Sequence, residues 1–245
     1  MALRRFWQLL SSWVFGVAIG LVGSSVTIVT LGVFSRTLSP LIVRTWGKTM
    51  LRLAGVTVSL EGAEYLRDDS MKIATFNHGS LLDAFLIASI MPRGAVAAVK
   101  REMLFYPILG LTMYLVGFVF LDRRNSAASR KAMAAACRRM SKNRLTVFIS
   151  PEGTRAKTLE MLPFKKGAFF LAIDSGAPIV PVVIEGAFEL HPPSRWTTNP
   201  GHVRIRVLPP RPTTALNAET MAAEIQALRD VYETELSAMR RERAA

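Results

Sequence analysis

Ile73-Ala74-Thr75-Phe76-Asn77-His78-Gly79-Ser80-Leu81-Leu82-Asp83-Ala84-Phe85-Leu86-Ile87-Ala88-Ser89-Ile90 opens on a short β-prone run and closes on an apolar helical run stopped by Pro92. Between them lies a polar turn carrying a histidine and an acid. A strand that feeds through a turn into a helix is the building unit of an α/β domain. The pattern continues on both sides. Residues 56–60, 95–99, 117–121, 145–149, 179–184 and 203–208 read as further strands. A helix begins near Arg101, another spans 125–143 with Ser126 as its cap, and a third spans 166–175. Met221, Ile225, Leu228, Tyr232, Leu236 and Met239 recur at steps of three or four, the signature of an amphipathic closing helix. The alternation predicts a layered α/β domain with a mostly parallel or mixed central sheet flanked by helices.

The 245 residues suffice for one such domain and a small attachment. Half of them are apolar and only 20% are charged, which excludes a disordered chain. The single cysteine, Cys137, excludes an intramolecular disulfide; among Ala135, Ala136 and Met140 it reads as a packing residue. The net charge of +13 suits nucleic acid, an anionic membrane or a phosphorylated substrate. Its distribution discriminates: Arg4, Arg5, Arg36, Arg44, Lys48 and Arg52 all precede Glu61, the first acid. Between the first two pairs of basic residues, 6–35 is an uncharged apolar run holding Trp7 and Trp13. As one helix it would run about 45 Å, longer than the roughly 30 Å hydrocarbon core, and Gly16, Gly20 and Gly23 interrupt it. A kinked or tilted helix competes with an upright span. Residues 41–53 then interleave Trp46 and aliphatic residues with Arg44, Lys48 and Arg52, as in a helix at headgroup level. Residues 1–56 are therefore predicted to be an N-terminal two-helix membrane-binding motif, and 57–245 the α/β domain.

Chemistry concentrates where strands end. His78 is suited to take a proton from a hydroxyl, and Asp83 to orient it and stabilise the imidazolium. Five places apart on one helix the two would point about 140° apart, so the pair requires His78 before the helix and Asp83 in its first turns. The alternative is a polar cap and a helix-start acid. Asn77 reads as a turn or capping residue, and no Gly-x-Ser-x-Gly elbow surrounds Ser80. In Glu152-Gly153-Thr154-Arg155, the glycine lets backbone approach an anion and Arg155 can grip a phosphate; the alternative is a surface turn with an internal Glu–Arg pair. Arg123 and Lys100 close two more strands. One base and three cations at four strand ends describe a site that activates a hydroxyl beside a phosphate.

In this order the residues resemble the glycerolipid acyltransferases, whose best-known members are the 1-acylglycerol-3-phosphate acyltransferases. The resemblance covers residues 73–187: His78 to Asp83 is similar to the family's H-x4-D, Gly117 to Arg123 to its G-x-x-F-x-D-R, Glu152 to Arg155 to its E-G-T-R, and Pro181 to the proline of its hydrophobic block. Phe164-Lys165-Lys166-Gly167 also looks like a family segment. Gly79, where many members carry glutamine, and Ser150, where phenylalanine is usual, depart from the pattern.

The resemblance implies direct transfer of an acyl group from acyl-CoA or acyl carrier protein to the sn-2 hydroxyl of 1-acylglycerol 3-phosphate, giving phosphatidic acid. His78 would be the general base and Asp83 its orienting partner. Arg155, Arg123 and Lys100 would bind substrate phosphate, with Asn77, Glu152, Gly153, Thr154 and Pro181 as support. It implies no metal and no cofactor beyond the thioester substrate, no nucleic-acid partner, and a site at the cytoplasmic face of the inner membrane. Rival acceptors are another lysophospholipid, glycerol 3-phosphate or a lyso-ornithine lipid. The rivals of another class are a lipid hydrolase and a non-catalytic basic protein that binds membrane or nucleic acid.

Overall fold

The computed structural model describes residue 25 and residues 35–244, apart from 69 and 107. The uncharged run, and with it the first of the two expected membrane helices, lies outside the described residues except for Ser25.

Helix α1 (Ser35–Leu53) leads into strand β1 (Val56–Glu61), the short α2 (Glu64–Arg67), β2 (Lys72–Phe76), α3 (Leu82–Ile90) and β3 (Ala95–Lys100). A 3-10 turn (Arg101–Phe105), α4 (Leu109–Val116), β4 (Val119–Leu121), α5 (Ser126–Asn143), β5 (Thr146–Ile149), α6 (Gly167–Ser175) and β6 (Ile179–Glu185) follow. The short α7 (Ala187–Leu190), β7 (Gly201–Val207) and α8 (Met221–Ala244) complete the chain. Seven strands form one sheet in the order β1-β7-β6-β2-β5-β3-β4. All neighbours pair parallel except β6 and β7.

Both faces of this mixed sheet are covered, which is why its central strands are continuously apolar. Successive side chains point to opposite faces. Ile73, Val147, Ile149 and Val183 therefore pack under α5, α6 and α8, while Ala74, Phe148, Val182 and Ile184 pack under α1 and α3. The closing helix buries Met221, Leu228, Tyr232, Leu236 and Met239, the stripe that its period predicts. Cys137 packs against the first of these layers.

Helix α1 does not stand apart from the domain. Gly47 crosses the backbone of α3 so closely that a Cβ there would lie 2.7 Å from the Phe85 carbonyl oxygen. Trp46 meets Phe85 edge to face at 5.0 Å, and Leu51 is buried. No helix among the described residues is long and apolar enough to cross a membrane.

Three expectations are corrected. The helix expected from Arg101 is a 3-10 turn followed by a separate α4. Gly117 ends α4 with φ +91°, a conformation that favours glycine, and so belongs to no strand. The cap of α5 is Asn125, whose side chain accepts the Ala128 N–H at 2.9 Å, and Ser126 is already helical.

Candidate active site

At the end of β2 the chain leaves the sheet in a controlled way. The Asn77 side chain replaces a ladder rung: its amide donates to the Ile184 carbonyl at 2.9 Å and its oxygen accepts the Ile184 N–H at 2.8 Å. Asn77 thus extends the pairing with β6 by side chain, and the backbone is free to turn. His78 follows, held from the far side of the cleft. Its N–H donates to Glu152 Oε1 at 2.7 Å and its carbonyl accepts the Ala156 N–H at 2.8 Å.

The spacing problem resolves as required. Helix α3 begins at Leu82, so His78 lies outside it and Asp83 in its first turn. His78 Nδ1 and Asp83 Oδ2 lie 2.8 Å apart, and the same oxygen accepts the Gly79 and Ser80 N–H groups at 2.9 and 2.8 Å. Since a carboxylate only accepts, Nδ1 is the donor, which in the neutral ring leaves the lone pair on Nε2. Asp83 is 1% exposed, whereas the His78 side chain keeps 22% of its surface. At Gly79 a Cβ would sit 3.2 Å from the Phe188 ring.

Glu152 is the second buried acid of the site, 1% exposed. Its other oxygen accepts the Leu162 N–H at 2.8 Å. Burial pushes its carboxyl above the usual range, against the pull of those two N–H groups. Both of its oxygens are bonded to backbone, and the internal Glu152–Arg155 pair of the surface-turn reading is not formed. Gly153, at φ +68°, makes room for the Lys165 side chain, whose ammonium would lie 3.1 Å from a Cβ there. Thr154 and Arg155 are exposed.

Strands β2, β5, β3 and β4 are consecutive and parallel, so their carboxyl ends share one edge. Arg155, Lys100 and Arg123 leave from strands one, two and three places from that of His78, about 5, 10 and 15 Å across the sheet. All three are exposed, and none has an ion-pair partner among the described residues. Asp122 turns instead to the Arg124 N–H and to Arg101, which together hold its carboxyl below the usual range. On the β6 side of His78 a cleft opens, lined by His78, Glu152, Leu159, Phe188, Leu236 and Arg240. Pro181 lies deeper, in β6 opposite Thr75, with its carbonyl accepting the Leu208 N–H at 2.9 Å. Its missing N–H faces that same flank, where β7 has already ended.

Residues 57–185, just over half of the chain, match the model of the Acyltransferase family. The chain belongs to the acyltransferase family. This acyltransferase is 31% identical over 192 residues to the 1-acyl-sn-glycerol-3-phosphate acyltransferase of Limnanthes douglasii, covering 78% of this chain and 68% of the relative. With the human 1-acyl-sn-glycerol-3-phosphate acyltransferase beta it shares 36% identity over 169 residues, 69% of this chain and 61% of the human one. Its fold matches the crystal structure of the 1-acyl-sn-glycerophosphate acyltransferase of Thermotoga maritima with a TM-score of 0.83 at 23% identity, over 98% of this chain and 97% of that one.

For an acyltransferase the arrangement offers an imidazole paired with a buried carboxylate, cations along one side and a cleft along the other. Several contributors were invisible in the sequence. Phe188 packs beside Gly79. The Ser80 hydroxyl donates to the His191 carbonyl at 2.8 Å. The His191 ring is held below the usual histidine range by burial, with the Arg155 charge adding to it. Lys165 adds a cation beside the Glu152 loop, and only the family-like Phe164–Gly167 segment pointed to it. Glu152 itself is testable as a clasp. A glutamine would keep one acceptor but turn an amide donor toward the other N–H, leaving a buried donor unmet at about 1–3 kcal/mol. Glu152→Gln should therefore lower the thermal midpoint and the turnover together; a variant as stable and active as the parent would show that the clasp positions nothing.

Proposed function

We propose that this acyltransferase moves an acyl group from acyl-CoA or acyl carrier protein to the sn-2 hydroxyl of 1-acylglycerol 3-phosphate, forming phosphatidic acid. The observation that carries the reading is the His78–Asp83 pair, which stands at the sheet edge from which Arg155, Lys100 and Arg123 also leave. The names of the relatives in plant and human support the same acceptor. His78 Nε2 takes the hydroxyl proton, and the oxygen attacks the thioester carbonyl carbon. The C–S bond then breaks, and the departing thiolate receives the proton from His78. Asp83 keeps the ring in the tautomer this requires. No covalent acyl-enzyme forms.

Arg155, one strand away from His78, takes the acceptor phosphate, while Lys100 and Arg123 extend the positive field along the edge. Residues 1–56 attach the enzyme to the cytoplasmic face of the membrane in which the acceptor resides. Arg155→Ala should lower kcat/KM for lysophosphatidate about tenfold to hundredfold, the worth of a charge-assisted phosphate contact of roughly 1.5–3 kcal/mol, with little change toward the donor. Steady-state rates with a panel of lysophosphatidate, phosphate-free monoacylglycerol, glycerol 3-phosphate and lyso-ornithine lipid test both points. Lysophosphatidate should lead the panel. An equal loss on the phosphate-free acceptor would assign Arg155 to loop structure instead.

A further inference from the structure

Eleven large apolar side chains are exposed among the described residues, and they are unevenly placed. Six of them, Leu81, Leu104, Phe105, Tyr106, Leu159 and Trp196, lie on the connections that leave β2, β3, β5 and β6 at the edge carrying His78. Three more continue the β3 connection into α4. Trp196 is 94% exposed and Phe105 72%, so neither contributes to the core. Single exposed apolar residues need no explanation, but a rim of them around one opening does.

The exposed charges on the same connections are mostly positive. Arg124, Lys157 and Arg195 are exposed beside the three cations already described, against the exposed acids Glu102 and Glu160. Trp196 follows Arg195 directly, on the Pro192-to-Pro200 connection between α7 and β7. Gly201, which ends that connection, donates its N–H to the Gly55 carbonyl at 3.1 Å. The Trp196 connection therefore stands next to the junction through which α1 enters the domain.

We propose that this rim is a second lipid-binding surface, in which Trp196 and the Phe105–Tyr106 tip enter the headgroup region of an anionic bilayer around the open His78. Aromatic rings flanked by cations are the side chains that favour such an interface. A flat, deformable partner reaches four separate loop tips at once. The contact also lets an acceptor move from leaflet to His78 without crossing water, a benefit that rests on the proposed function although the surface itself does not.

The test uses the intact chain with Trp7→Phe, Trp13→Phe and Trp46→Phe, leaving Trp196 as its only tryptophan, reconstituted in phosphatidylglycerol-rich vesicles. The Trp196 emission should shift to the blue and be quenched by lipids brominated near the headgroup end of the acyl chain, with aqueous iodide losing access. Emission typical of water, unquenched by bromolipid, overturns the proposal. A blue shift without lipid quenching means contact with protein and overturns it equally. Should the triple variant not fold, a spin label at Trp196→Cys in a Cys137→Ala chain reads the same depth. Transfer to lysophosphatidate is assayed separately on the same sample: quenching without transfer would sink the acceptor assignment and leave the surface standing, and transfer without quenching the reverse.

Discussion

His78→Ala should lower acyl transfer by about 10²–10⁴-fold, the usual worth of a positioned general base, without unfolding the protein. The expectation of an intact fold is structural. His78 lies outside α3, and its side chain is partly exposed. Its ring meets Phe76 edge to face at 5.8 Å. The bonds that hold the turn use the backbone of residue 78, its N–H to Glu152 and its carbonyl to Ala156, and alanine keeps both. What disappears is the imidazole that lines the cleft beside Asp83. A well-folded His78→Ala protein that turns over like the parent would remove His78 from the mechanism.

Asp83→Asn should be nearly as damaging, for a different reason. Asparagine matches the volume of a residue that is 1% exposed, so no cavity forms. Three donors converge on Asp83 Oδ2, from His78 Nδ1, Gly79 N and Ser80 N, and they select the orientation of the new amide with its carbonyl oxygen in that place. The turn then survives. The negative charge facing the imidazolium does not, and the transition state loses its stabilisation; we expect a loss of about 10² or more in kcat with a far smaller change in acceptor KM. Equal losses in kcat and in thermal stability would instead mean that Asp83 serves only the turn. Glutamate at the same position restores the charge but not the reach, and should recover little.

Much of this was legible in the chain. The run from Ile73 to Ile90 carried its own strand, turn and helix, and the alternating buried strands announced a sheet covered on both faces. The four strand ends bearing His78, Lys100, Arg123 and Arg155 could be brought to one edge by reasoning alone, because parallel strands joined through helices finish on the same side. Long-range pairing was not legible. Nothing local in residues 201–207 says that this strand inserts between β1 and β6 and runs antiparallel to β6. The role of Glu152 was hidden for the same reason: its carboxylate serves an N–H 74 positions away in the chain. Asn77 looked like a turn residue because its use as a surrogate ladder rung depends on Ile184, 107 positions away. Local signals also failed: Asn125 and Ser126 competed for one cap, the helix expected from Arg101 is a 3-10 turn, and Gly117 caps a helix instead of opening a strand.

The measurement that bears most directly on the account is thiol release from acyl-CoA by the detergent-solubilised protein, with and without 1-acylglycerol 3-phosphate. Direct transfer predicts release only when the acceptor is present, matched mole for mole by phosphatidic acid, and abolished in His78→Ala. Thiol release without acceptor, accompanied by free fatty acid or by an acyl group retained on the protein, would contradict it.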